Sequence, residues 1–190
     1  MYGLVNQGVQ DLAFQLGGEK LWLTIKQRAG VDVETFVGMD VYPDDVTERL
    51  VFAASETLGI TPAEVLRTFG RHWILYTGRK GYGAVFETMG RTLPEFVGNL
   101  DAMHARLSLS MPHLAPPSFV CEQIGPDQLR LEYYSHRTGL APMVVGLLEG
   151  LGELFGLEVR TKQTLSTSDG ADYDEFFIET SPVQESSDVR

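Results

Sequence analysis

The chain has 190 residues, 43% of them hydrophobic and 22% charged, with a formal net charge of -11 at pH 7. That length suits one domain with a sizeable core, and the acidic balance argues against nucleic acid or anionic lipid as partner; the charge serves solubility. The single cysteine, Cys121, excludes an internal disulfide and a cysteine-built zinc site, and the lack of a leader or an apolar run of membrane length reads as a soluble, cytoplasmic chain.

The first two-thirds read as helices. Leu4, Val5, Val9, Leu12 and Leu16 recur at helical spacing until Gly17-Gly18 stop the run. A short helix follows from Glu19 to Ala29. Asp44 or Asp45 can cap a third that reaches Leu58 and ends at Gly59. Thr61-Pro62-Ala63-Glu64 is a capping-box start, and Val65, Leu66, Phe69 and Trp73 form the apolar stripe behind it. Thr92-Leu93-Pro94-Glu95 repeats that logic for one helix over Leu93–Leu109, in which His104 occupies a core position beside Leu100, Met103 and Leu107. Pro112 and Pro116-Pro117 prevent its continuation.

Beyond Pro117 the period changes. Ser118–Ile124 and Gln128–Tyr134 read as strands about a Gly125-Pro126-Asp127 turn, and Leu140–Phe155 reads as an apolar helix. Leu157–Leu165 and Tyr173–Thr180 form a second hairpin about Ser168-Asp169-Gly170. The expected fold is α+β: a helical N-terminal subdomain packed on a small antiparallel sheet with an inserted helix. Residues 1–180 form one domain, and residues 181–190 a polar C-terminal tail.

Two features carry chemistry. His104 places an imidazole on an apolar helix face, where it can serve as an axial ligand to haem iron. Tyr133-Tyr134-Ser135-His136-Arg137 places two hydroxyls and a guanidinium at alternate strand positions, which share a face and can clamp carboxylates such as haem propionates. Read singly, His104 is a core histidine bonded to a carbonyl and the second run is a solvated strand face. Their conjunction points to a haem buried between the helices and the sheet, held at its metal and at its acidic edge. Other features read as structure. Gly78–Gly83 follows a helix and so is not a phosphate loop. Cys121 is a buried, inert thiol, Asp44-Asp45 a cap, and Glu149 with Glu153 a solvated face. His72, His113 and His136 share no ligand spacing, and no nucleophile-and-base grouping is visible.

The order His104, Pro116-Pro117, Tyr133-x-Ser135-x-Arg137 and Gly139-Leu140-Ala141-Pro142-Met143 resembles the H-NOX family, the haem nitric oxide/oxygen-binding domains related to the sensor domain of soluble guanylate cyclase. The start MYGLVNQGVQDL, Leu93–Phe96 and Leu147–Gly150 are similar too, so the resemblance runs from Met1 to about Thr180. It implies haem b (iron protoporphyrin IX), with His104 as proximal iron ligand. Tyr133, Ser135 and Arg137 would hold the propionates, and Pro117 would press on the porphyrin. In the distal pocket the resemblance places Val5, Val9, Trp73 and Leu147. The position that carries a tyrosine in oxygen-binding members falls on Met143, or on Pro142 if no gap is allowed; neither can donate a hydrogen bond.

The expectation is therefore a non-enzymatic sensor that binds nitric oxide and CO but not dioxygen. It would signal through breakage of the His104–iron bond to a separate effector, such as a histidine kinase or a cyclic nucleotide or di-nucleotide enzyme. The rivals are a haem enzyme or NO scavenger, an O2-binding haem protein, and a binder of some other carboxylated apolar molecule.

Overall fold

The computed structural model describes residues 1–183, the side chains of residues 77–82 excepted. Helix α1 (Gly3–Arg28) is kinked at Gly17-Gly18, where Gly18 takes φ 68 and ψ -165. That backbone conformation is open to glycine alone, so the sequence expectation of two runs parted by this pair holds. Helix α2 (Asp44–Leu58) ends on Gly59 in the left-handed region at φ 69. Its N-cap is Pro43, with no side-chain cap; Asp44 and Asp45 stand in the first turn and Asp44 is turned to other work. Helix α3 (Pro62–His72) starts with the expected box: the Thr61 N–H donates to Glu64 at 2.8 Å, and the Glu64 N–H donates to Thr61 Oγ1 at 3.2 Å. A π-turn, Trp73–Thr77, then leads into α4 (Gly78–Glu87), a helix that the glycine-rich sequence hid.

The segment expected as one helix around His104 is two. Helix α5 (Leu93–Gly98) and helix α6 (Leu100–Ser108) meet at Asn99, which is bent to φ -95 and ψ 0 while its Nδ2 donates to the Met89 carbonyl at 2.9 Å. An amide side chain that captures an external carbonyl offers an alternative to the helical ladder, and the axis breaks there. None of the nine residues of α6 is buried, so His104 is a half-buried side chain and not a core position.

Strands β1 (Ser118–Gly125), β2 (Gln128–Tyr134), β3 (Leu157–Leu165) and β4 (Asp174–Pro182) form one antiparallel sheet in the order β1-β2-β4-β3. Strand β4 continues two residues into the segment expected as a tail; residues 184–190 lie outside the described residues. Helix α7 (Ala141–Phe155) crosses from the sheet to α3. A Cβ at Gly70 would overlap the Met143 carbonyl, and one at Gly146 the Arg67 carbonyl, so the two helices meet backbone to backbone. Arg67 pairs with Glu149 and Arg71 with Glu153 along the same seam. These glutamates therefore bridge to α3 instead of forming a solvated face.

Apolar burial falls into two clusters. One joins α1, α2 and α3 through residues such as Leu12, Ile25, Phe36, Leu50 and Phe69. The other joins α5, α7 and the sheet through Phe96, Leu131, Leu148, Phe176 and Ile178. Trp73 packs against both. The fold is α+β, and no described helix is long and apolar enough to cross a membrane.

Candidate functional site

A cavity of about 290 Å³ lies where the two clusters face each other. It is walled almost wholly by carbon, with a few polar groups at its margins, the usual build of a small-molecule site. Helix α6 contributes Leu100, Met103, His104 and Leu107, a stripe at spacings of three and four. The His104 Nδ1 is buried and makes no hydrogen bond among the described residues. Burial holds the ring below its usual pKa, against the opposing pull of the Asp101 charge and the Pro117 carbonyl, so the imidazole is kept neutral. A neutral imidazole with a vacant nitrogen is what a metal requires. Among the described residues no three His, Cys, Asp or Glu side chains cluster as a metal site.

Helix α6 is placed by Asp101, one turn before His104. Its carboxylate accepts from the Phe119 N–H at 2.9 Å and from the Ser118 hydroxyl at 2.5 Å. The helix is thus tied to the start of β1, just beyond Pro116-Pro117, and Pro117 itself lines the cavity. Phe119 stands beside the imidazole with ring centroids 6.2 Å apart.

Tyr133, Ser135 and Arg137 line the same cavity. Only Tyr133 of the three is a strand position, because β2 ends at Tyr134. Tyr133 is the last inward side chain of the strand, paired in register with Phe119 and Asp174. Ser135 and Arg137 follow on a bend in which Ser135 Oγ accepts the Arg137 N–H at 3.0 Å. Burial pushes the Tyr133 phenol up, so it stays a neutral donor, with the Ser135 hydroxyl and the Arg137 charge opposing. The Arg137 guanidinium donates from Nε to Asp44 Oδ2 at 2.7 Å and from Nη1 to the Ala115 carbonyl at 2.8 Å. Its Nη2 makes no hydrogen bond among the described residues and is available to an anion.

Asp44 is the site residue that linear reading missed. Its other oxygen accepts from the Met1 ammonium at 2.5 Å. Burial alone would raise its pKa, but the ammonium and Arg137 outweigh burial and hold the carboxyl below its usual value. A cap signal was visible at Asp44; a partner 93 residues away was not.

Val5, Val9, Phe69, Trp73, Met143 and Leu147 add an apolar wall from α1, α3, the π-turn and α7. Met143, and not Pro142, borders the cavity, and its thioether has no proton to give. Cys121 lies outside the cavity lining, and burial pushes its thiol up, away from the reactive thiolate. These residues fit a haem: one neutral imidazole facing apolar space, two apolar walls, and hydroxyl and guanidinium donors at one margin.

The comparisons with known proteins point the same way. The sequence profile described as Haem-NO-binding matches residues 2–163. Soluble guanylate cyclase gcy-31 of Caenorhabditis elegans is 30% identical over 160 residues, which cover 84% of this chain and 23% of that protein. Soluble guanylate cyclase gcy-33 of the same organism is 32% identical over 169 residues, covering 86% and 18% respectively. The chain thus spans less than a quarter of the length of these relatives. Among solved structures, an H-NOX protein from S. oneidensis in the Fe(II)NO ligation state superposes with a TM-score of 0.85 at 18% identity, covering 95% of this chain and 99% of that one. The Fe(II) unliganded form of an H-NOX protein mutant from K. algicida gives 0.81 at 19% identity, covering 96% and 98%.

Proposed function

The chain belongs to the Haem-NO-binding (H-NOX) family, and from that premise we propose that it is a haem b gas sensor selective for nitric oxide, able to take CO but not dioxygen. The observation that carries the reading is the shared cavity. It joins the His104 imidazole, whose Nδ1 has no hydrogen-bond partner among the described residues, to the Tyr133, Ser135 and Arg137 donors between two apolar clusters.

When bound, haem supplies a ferrous iron able to take a diatomic gas. His104 would be its protein ligand, presented neutral by its burial. Arg137 would supply the charge that the propionates need, its guanidinium held in place by Asp44 and the Ala115 carbonyl, and Tyr133 and Ser135 would add hydroxyl donors. Pro117 bears on the apolar face near His104. The facing apolar residues offer no donor at Met143, so dioxygen, which gains polarity when bound, gets no hydrogen bond from that position; NO and CO need none.

Signalling follows from how His104 is mounted. Helix α6 has no fully buried residue, and Asp101 ties it to the start of β1 while Leu100 and Met103 pack only partly against the second cluster, so it is cheap to move. Were His104 to let go of a bound haem, α6 would be free to move relative to the wall held by Arg137, which is the bistable element a sensor requires. The partner that reads this movement is a separate histidine kinase or a cyclic nucleotide or di-nucleotide enzyme, met in the cytoplasm. The cyclase activity named for the relatives is not assigned to this chain.

The absorption spectrum of the purified chain tests the reading. A Soret band that shifts with NO and CO, and is unchanged by air in the ferrous state, is expected. A colourless protein that takes up no added haem overturns it.

A further inference from the structure

The gas-side wall of the cavity rests on a residue with no side chain. Gly8 lies on α1 between Val5 and Val9, which line the cavity, and is itself buried. A Cβ built on it would stand 3.0 Å from Cζ3 and 3.1 Å from Cε3 of Trp73, and 3.1 Å from Cε2 of Phe69. Carbon atoms at their optimal separation stand about 3.5–4.0 Å apart, so both rings occupy the notch that the absent methyl leaves. They meet edge to face, with centroids 5.8 Å apart, and both border the cavity. Phe69 is 3% exposed and enclosed by the helical cluster. Trp73 opens the π-turn, where the helix widens and side-chain direction departs from α-helical register. The open space beside these rings is the cavity they line, because the packed interior behind them yields little.

We propose that Gly8 is a positioning residue for ligand size. Its missing side chain seats Trp73 back against α1 and so fixes how large a ligand can stand on the gas side of the cavity. Gly8→Ala drives the indole into that space and narrows it. Trp73→Phe replaces the larger of the two rings that meet the methyl with a smaller one and widens it again. The inference rests on the haem reading for its ligand, but the contact between Gly8 and Trp73 exists without haem.

The test uses the purified chain as wild type, Gly8→Ala, Trp73→Phe and the double variant. Haem loading is read from the Soret band, and the ferrous forms are titrated with CO and with n-butyl isocyanide, a bulkier ligand to the same iron. Gly8→Ala should weaken isocyanide relative to CO by about tenfold, the scale of one methyl group in an apolar pocket. Trp73→Phe in the same chain should restore the ratio. An unchanged ratio in loaded Gly8→Ala protein overturns the proposal. The seat itself is read from the melting temperature of the haem-free chain. Without a contact, glycine to alanine inside a helix raises it. Here Gly8→Ala should lower it in the wild-type background and lower it less in the Trp73→Phe background, where Phe69 alone still meets the methyl; additive effects overturn the seat. A wild type without a Soret band overturns the haem reading, while the melting cycle still decides the contact.

Discussion

Asp44 on the first turn of α2 holds Arg137, 93 residues further on, by a 2.7 Å bond from the guanidinium Nε. The same carboxylate accepts from the Met1 ammonium at 2.5 Å. Arg137 therefore reaches the cavity margin already oriented by the helical subdomain, although the chain delivers it from the end of a strand. Oriented donors bind a carboxylate at a lower entropic cost than mobile ones, and this contact links the two halves of the fold across the cavity they enclose.

His104 is expected to be the only protein ligand to iron. His104→Gly should yield protein that retains haem only when imidazole is supplied, read by Soret absorbance after desalting. Full loading with an unchanged ferrous spectrum would exclude the assignment.

Arg137→Ala should weaken haem binding by about 1.5–3 kcal/mol, the scale of a hydrogen bond to a charged group, which is roughly ten- to a hundredfold in affinity. Tyr133→Phe and Ser135→Ala should each cost less, because neither removes the charge. Equal haem affinity in all three variants would count against the clamp.

The contact between Asp44 and Arg137 should also depend on pH in a stated direction. The ammonium and Arg137 hold the folded carboxyl below the ordinary aspartate value of 3.8. The contact therefore contributes stability above that value and loses it as pH falls towards the folded pKa. Urea unfolding of wild type and Asp44→Asn should differ at pH 7, and the difference should shrink below pH 3.8. A difference that stays constant through that range would show that the ion pair is absent in solution.

The ferrous protein should bind NO and CO and give no stable complex in air. NO should give a five-coordinate spectrum, the sign that His104 has let go. Met143→Tyr offers a phenol near the gas and should slow the loss of bound dioxygen if the hydroxyl is well placed. A stable, reversible oxy spectrum in the wild type would mean that another lining group donates, and the indole N–H of Trp73 is then the first to remove.

Gly146→Ala should destabilise the chain by about 1–3 kcal/mol despite the better helix propensity of alanine, because the added methyl overlaps the Arg67 carbonyl at a backbone contact. Chemical denaturation measures this directly, and a neutral or stabilising effect would contradict the close crossing of α3 and α7.

Much of the architecture is local and was legible from the chain alone. The capping box at Thr61, the break at Gly17-Gly18, the stop at Gly59 and the bounds of Gln128–Tyr134 and Leu157–Leu165 all follow from interactions within a few residues. Such signals depend on backbone sterics and nearby hydrogen bonds, which the sequence states outright. The spacing of His104 from Arg137 was visible for the same reason, since each lies on a local pattern. Tertiary structure decided the rest. Asn99 broke the His104 helix because its amide found the Met89 carbonyl. Glu149 and Glu153 turned to Arg67 and Arg71 because glycines at 70 and 146 let α3 and α7 touch. Asp44 became part of the site because the fold carried Arg137 to it. Gly8 reads in the chain as one more weak helix residue, and only the packing of Trp73 and Phe69 against it shows what its missing methyl leaves room for. These are contacts between residues far apart in sequence, and their energies depend on geometry that no local pattern encodes.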